Sequence, residues 1–376
     1  MARKSYQELE KIKRRYKTST LWSWSKYNKY NTSTYEFYLK YIARIKEDRN
    51  TSIYSFLGGT SHTILERLYE KIIKYEDMIA EFEDEWFKLK SSKLRFDRSN
   101  KDNNQTISDK YEYCMRHFFE NYIPIDKKVD IERFVIIKIQ DYIFQGYIDC
   151  VHKEGDAFII TDFKTSSIYK GKDIFNERNQ LLLYAEALYQ LGVPLENIKI
   201  RWDFLKYVSV EQPQANGNVK VRNIARNEIG ECLLANARMW MKKEKFYTEE
   251  QIEIYLEKLI DTNDIKCLPE SIKSKYTFYN CYVYVDFTKE DIDNLKNDIV
   301  ETIIEINKKE SEYNKTKDDK VWWEEVNDEN SYYFANLCGY SAKLHKPYGE
   351  YLDNLKKKKE TEDAEGEEDL SWLEGL

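Results

Sequence analysis

Apolar positions recur along this chain at two spacings, and the spacing changes near residue 130. Upstream the period is helical. Ile64, Leu65, Leu68, Ile72 and Ile73 share one face of a helix expected over residues 53–78, which contains the flexible pair Gly58-Gly59. Residues 35–42 and 111–122 carry the same period, while the polar stretch 94–108 predicts a surface loop. Downstream, Phe134-Val-Ile-Ile-Lys-Ile139 is apolar and β-branched, and residues 142–151 alternate. After the turn Lys153-Glu-Gly-Asp156, residues 157–164 are apolar again. Three runs so closely spaced predict an antiparallel meander. Residues 179–191 predict a helix, closed by Gly192 and Pro194. A strand is expected over 198–210, helices over 223–243 and 249–260, a short strand over 282–287 and a long charged helix over 290–312. From residue 356 the run KKKKETEDAEGEED cannot bury a core and predicts disorder. No internal repeat is visible.

Composition narrows the class. With 376 residues, 41% hydrophobic and 34% charged, the chain can bury a sizeable core under a charge-rich surface. Twelve Gly and five Pro exclude collagen-like and linker-like sequences. No stretch approaches the roughly 18 apolar residues of a membrane span. The start MARKSYQELEKIKRR has no apolar stretch behind its charges, so no secretory signal and a cytoplasmic location are expected. The net charge of -7 is concentrated at one end, because eight acids follow residue 359 with no Lys or Arg among them. Without them 60 bases face 59 acids, and residues 1–30 carry nine bases against two acids. An acidic total therefore does not exclude a nucleic-acid partner. The six cysteines form no CxxC pair and complete no zinc spacing, so they are expected as free thiols.

The chemistry-bearing residues lie in the meander. On the strand ending Asp162-Phe-Lys164, Asp162 and Lys164 share a face and Phe163 points to the other. Asp149 closes the preceding strand after Gly146-Tyr-Ile, so antiparallel pairing would set the two carboxylates side by side. A hard divalent cation relieves the repulsion between such a pair and lowers the pKa of a bound water. A neighbouring ammonium, Lys164, orients that water or neutralises developing charge. An Asp-x-Lys triplet alone is weak, since a surface salt bridge explains it as well. His62 alone is as readily a cap or core residue. Gln180 and Tyr184, four apart on the next helix, are as readily a solvated residue and a core residue.

The ordered set is more specific than its members. Gly58-Gly-Thr-Ser-His62, Gly146-Tyr-Ile-Asp149, Asp162-Phe-Lys-Thr165 and Gln180-Leu-Leu-Leu-Tyr184 resemble the motifs of the RecB-like branch of the PD-(D/E)XK nuclease superfamily. The resemblance implies an α/β fold with a restriction-endonuclease-like core, a central mixed sheet flanked by helices, and extra N- and C-terminal helices. It implies that His62, Asp149, Asp162 and the Phe163 backbone carbonyl ligate Mg²⁺ or Mn²⁺. Lys164 would assist the water, Gln180 and Tyr184 would steady the site and the substrate phosphate, and Glu66 is a candidate partner of the ligands. The organisation expected is a basic, aromatic helical segment (1–50), the nuclease core (51–210), a mostly helical elaboration (211–355) and a disordered acidic tail with an apolar tip (356–376).

The flanks also carry departures. Residues 25–41 are similar to the N-terminal helix of helicase-linked and CRISPR-associated exonucleases, many of which hold an iron–sulfur cluster. Ser33-Thr34 stands where many of those have Cys-Pro, and the C-terminal region offers only Cys338, so no iron–sulfur cluster is expected. Trp322, Trp323, Tyr332, Tyr333 and Phe334 are expected to pin the two ends together. Trp22, Trp24, Tyr27 and Tyr30 suit either single-stranded base stacking or a first-helix core.

The function expected is metal-dependent hydrolysis of DNA, exonucleolytic by analogy, in replication, recombination or repair. A structure-specific or restriction-type endonuclease is one alternative, and a non-catalytic nuclease-fold subunit of a replication or recombination complex is another. DNA, single-stranded or with single-stranded ends, is the expected partner, and no membrane is expected. The tail is expected either to dock on a sliding clamp or other replication protein or to act as a solubilising arm. No Gly-x-x-x-x-Gly-Lys-Ser/Thr phosphate loop is present, so any motor is a separate protein. Lys-, Asn-, Ile- and Tyr-rich usage suggests an AT-rich genome, and by analogy a phage or mobile element acting in the host cytoplasm.

Overall fold

In the computed structural model, residues 3–49, 53–92, 95–98 and 100–368 are described. Among the described residues seven strands form one mixed sheet: β1 (Leu21–Trp22), β2 (Val129–Ile139), β3 (Tyr142–Glu154), β4 (Ala157–Lys164), β5 (Ile198–Pro213), β6 (Val219–Ala225) and β7 (Thr277–Val285). The expected meander is there. β2 and β3 pair antiparallel from Val129↔His152 to Ile139↔Tyr142, and β3 and β4 from Cys150↔Thr161 to Glu154↔Ala157. Gly155 takes φ 58 in the β3–β4 turn, a conformation that favours glycine.

From β4 the chain crosses through the helices Lys172–Glu177 and Asn179–Gln190 to β5, which runs parallel to β4. A parallel neighbour requires such a crossover. β4 and β6 lie along one edge of β5 and β7 along the other. On β3, β2 takes one edge, and β4 and the short parallel β1 share the other. The boundary expected after residue 210 falls inside β5, and the segment beyond it supplies β6 and β7 to the same sheet.

Three buried clusters hold the sheet. One face packs on the helices Asn179–Gln190 and Lys289–Thr316 and on both chain ends. The other face packs on Ile53–Tyr69, Met78–Lys90 and Lys101–Asn121. The outer half of β5 and β6 packs on Ile229–Glu244 and Glu249–Thr262. The chain ends are pinned as expected. Trp322 is buried against Tyr30, Phe37 and Tyr38, and Trp323 meets the edge of Tyr35. The Ser33 hydroxyl meets Glu324 and the buried His345 ring, 3.3 Å from its Nε2.

Several expectations need correction. The helix expected to reach residue 78 stops at Tyr69, and a turn with Lys71 at positive φ intervenes before the next helix. Residues 101–108, expected as loop, begin the helix Lys101–Asn121, because the Asn100 side chain accepts the Asp102 and Asn103 amides as an N-cap. Residues 356–368, expected to be disordered, continue the helix Lys346–Glu368. Lys and Glu are strong helix formers, which a composition argument about core burial overlooks.

Gly230 lies where Ile229–Glu244 crosses Glu249–Thr262, and a Cβ there would run into the Leu259 carbonyl. Gly230→Ala should therefore cost about 1–3 kcal/mol, read as a lower urea midpoint. Gly59→Ala, whose added methyl meets nothing within 4 Å, should be neutral or stabilise by up to ~1 kcal/mol.

Candidate active site

The site forms where two strands change which face they present. In β2, Ile131 belongs to one core cluster and Val135, Ile137 and Ile139 to the opposite one. In β3, Ile148 and Cys150 likewise fall in opposite clusters, although strict alternation would place both on one face. The offset is the same on both sides of the switch, so Glu132 and Asp149 fall opposite each other at the one step the ladder skips. Glu132 has φ 48, an unfavourable conformation for a residue with a Cβ. On the other side of β3, pairing with β4 ends at Cys150↔Thr161. One more step would set Asp149 opposite Asp162, and there the strands part, leaving residues 162–164 paired only to β5. Three carboxylates thus stand at one level across three strands.

His62 reaches this level from the helix Ile53–Tyr69 on the opposite face. Its Nδ1 lies 3.6 Å from Asp149 Oδ2 and its Nε2 lies 3.0 Å from the Phe163 carbonyl oxygen. Asp149 Oδ2 also accepts the Phe163 amide at 3.0 Å. Lys164 Nζ lies 2.6 Å from Asp162 Oδ2. Ligand atoms of His62, Glu132 and Asp149 all lie within 4.8 Å of one another.

This donor set suits a hard divalent cation. The 3.0 Å between His62 Nε2 and the Phe163 oxygen is hydrogen-bonding distance, and Asp149 faces the other ring nitrogen, so the grouping of His62, Glu132 and Asp149 is what suits a cation. Of the four expected ligands, three already touch, while Asp162 is turned to Lys164.

Electrostatics give the same picture. Burial pushes the Asp149 carboxyl up to about 6, with Asp162 adding to the rise and His62 and Lys164 opposing it. Burial raises Glu132 as well, helped by Glu66, the candidate partner one turn after His62. Burial works against the Lys164 ammonium, but Asp162 outweighs it and holds the group charged, above its usual range. The buried acids lack full compensation, and the amine is firmly cationic.

Gln180 and Tyr184 complete the wall. Gln180 Nε2 donates to the Tyr184 hydroxyl at 3.1 Å. Tyr184 lies against Gly146, where a Cβ would come 3.1 Å from its ring. The glycine three residues before Asp149 is therefore a close-approach position. A cavity of about 320 Å³ opens here, lined by His62, Glu132, Asp149, Gln180 and Tyr184.

Glu132, Arg3, Trp24 and Tyr147 also line this cavity, beyond the residues that the motifs point to. Glu132 has a readable signal, since the two-residue turn after Ile139 sets position 132 against 149. The apolar run that marks its strand begins only at Phe134, which hides it. Of the N-terminal aromatics, Trp22, Tyr27 and Tyr30 are buried in the core and only Trp24 reaches the cavity. A larger cavity, about 660 Å³ around Arg226 and Tyr276, is remote from the carboxylates, so size does not mark the site. The apolar tip expected to dock, residues 370–376, lies outside the described residues. Among the described residues no helix is long and apolar enough to cross a membrane.

The family profile of the PD-(D/E)XK nuclease superfamily matches residues 21–340. The chain is also similar to an ATP-dependent helicase/nuclease subunit of Desulforamulus reducens, 41% identical over 56 residues. That match covers 14% of this chain and 4% of the relative, so the chain corresponds to a small part of that protein.

Asp149 generates a prediction for the metal-free protein. A carboxyl raised to about 6 stabilises the fold below its unfolded value near 4, and that stability is lost as pH rises through about 6. In EDTA, Asp149→Asn should raise stability by about 1–3 kcal/mol at about pH 7–8, and the gain should shrink towards about pH 4. Thermal melts across that range check it. A gain independent of pH would contradict the assignment.

Proposed function

The chain belongs to the PD-(D/E)XK nuclease superfamily, and on that premise we propose that it is a Mg²⁺- or Mn²⁺-dependent deoxyribonuclease acting on DNA ends. One observation carries the reading. Glu132, Asp149 and the His62 imidazole meet where β3 and β4 part, with the Phe163 carbonyl against the histidine and Asp162 beside them on Lys164. In this reading His62, Asp149, Asp162 and the Phe163 carbonyl hold the cation, and Glu132 is a further acidic ligand or positions His62. The bound cation supplies a more acidic water and a counter-charge to the phosphate. Lys164 orients the attacking water and neutralises charge that develops on the phosphate oxygens. Gln180 and Tyr184 steady the phosphate on the opposite wall.

Exonucleolytic action rests on analogy with the motif order of the RecB-like branch, and the similar helicase/nuclease subunit supports the nuclease reading alone. Involvement in replication, recombination or repair, in a phage or mobile element, rests on the same analogy and on the amino-acid usage. For the acidic tail, docking on a clamp or another replication protein and simple solubilisation stand as two proposals. Pull-down with residues 360–376 separates them.

Linear and circular DNA incubated with Mg²⁺, Mn²⁺ or EDTA test the main reading. Degradation of linear DNA should need the metal and spare closed circles. Asp162→Ala should abolish it with an unchanged circular dichroism spectrum. Lys164→Ala should lower the rate roughly 10²- to 10³-fold and leave metal affinity nearly intact. Equal cleavage by wild type and both variants would move the site elsewhere, and cutting of closed circles would favour the endonuclease.

A further inference from the structure

We propose that a second cavity, just beyond the carboxyl end of β4, is a nucleoside subsite that takes one unpaired nucleotide next to the scissile phosphate. The inference rests on the nuclease reading above and names where that enzyme would hold its substrate. The cavity has a volume of about 630 Å³ and is lined by Tyr54, Tyr111, Thr165, Lys206, Tyr207 and Tyr332 among others. Pockets for small ligands span roughly 300–1,000 Å³, so the space suits a nucleoside.

Continuity with the carboxylates is the first argument. Thr165, Ser166 and Ser167 line the cavity and follow Lys164 directly. On the helix Ile53–Tyr69, positions 54, 58 and 62 are successive steps of four, so they form one stripe. Tyr54 lines the cavity, His62 touches the Phe163 carbonyl, and Gly58 lies between them. Gly58 adds no side chain to this stripe, and a Cβ there would lie 3.9 Å from Thr165 Oγ1, so Thr165 lies over the helix where cavity and carboxylates meet. Eight residues of helix rise about 12 Å. A nucleic-acid strand covers that distance in about two to four nucleotides at roughly 3.4 Å or more each.

Charge is the second argument. The chain has 67 acids, yet among the described residues none of them lines this cavity. Lys110 at its rim is paired with Glu228 at 2.7 Å. Lys206 is different. Burial lowers its pKa, and the other groups acting on it are Cys114, which raises it, and Lys110, which lowers it. Among the described residues no carboxylate pairs with it. A phosphate would supply the missing counter-charge. The tyrosines supply the other half of nucleotide recognition, a π-face for a base. Tyr332 is half exposed at the mouth and Tyr207 half-buried within.

Shape supplies the third argument. The walls come from the helices Ile53–Tyr69 and Lys101–Asn121, from β5, and from residues 332–337. In this proposal a base leaves its stack to enter the space, which costs least for a base that is already unpaired. The subsite therefore selects an unpaired end.

The test compares wild type with Lys206→Met, Lys206→Arg and Tyr207→Leu. A fluorescein-labelled oligo(dT) strand is bound in EDTA over a series of salt concentrations, and cleavage of the same strand is followed with Mn²⁺. A third readout is turnover of bis(p-nitrophenyl) phosphate, which has no nucleoside. Lys206→Met should weaken strand binding about 10-fold and reduce the salt slope by about one. Lys206→Arg should restore the slope. Tyr207→Leu should weaken binding about 5- to 10-fold without changing the slope. All variants should turn over the small ester as wild type does. Unchanged affinity, slope and KM in variants of an enzyme that cleaves DNA would overturn the subsite and leave the nuclease reading intact. Equal losses on blunt duplex and on single strand would overturn the preference for unpaired ends. A wild type that cleaves neither DNA nor the ester would remove both readings together.

Discussion

Two carboxylates that a continuous antiparallel ladder would hold face to face, away from water, constrain everything around them. Like charges directly opposite each other destabilise a sheet, and burial magnifies the effect. The β3–β4 ladder stops one step before that pair would form. What replaces the missing backbone pairing is polar and local. The Phe163 amide turns to Asp149, Lys164 turns to Asp162, and His62 closes over the gap. The parted strands thus create the gap that the proposed cation and phosphate would share.

That arrangement needs both faces of the sheet. The carboxylates sit at the level where β2 and β3 exchange faces. The helix bearing Gln180 and Tyr184 is anchored in one core cluster, and the helix bearing His62 in the other. Neither helix touches the site by chance of surface packing. Leu181, Leu182 and Leu183 lock the first, and Leu57, Ile64 and Leu65 lock the second. Gly146 lets Tyr184 come close enough for its hydroxyl to meet Gln180. The pinned chain ends bring Trp24 to the rim, so the extra helices outside the motif region also shape the approach to the site.

The molecule also separates its charges. Acids gather at the parted strands, and among the described residues the cavity beyond β4 has none. In the proposed reading a nucleic-acid strand would meet both environments in succession, the acidic site at the reacting phosphate and an aromatic, basic surface for its neighbour. The stripe Tyr54–Gly58–His62 joins them along one helix. The formal net charge of -7, much of it contributed by a tail past residue 359, says little about either surface.

Local spacing determined a good deal. Period-two runs predicted the meander, and the turns between them set its register, so Asp149 and Asp162 could be paired from the residue order alone. The order of His62, Asp149, Asp162-Phe-Lys164 and Gln180-Leu-Leu-Leu-Tyr184 identified the family, because each motif is short enough to be read within one element. Glu132 escaped because its strand begins with charged residues that do not read as strand. The cavity around Lys206 escaped because its walls come from residues as far apart as 54, 111, 165, 207 and 332. The course of residues 356–368 turned on helix propensity rather than on core burial. Sequence reports what neighbours along the chain require of one another. Which groups remain unpaired in a shared space depends on contacts between distant segments, and only the folded arrangement decides that.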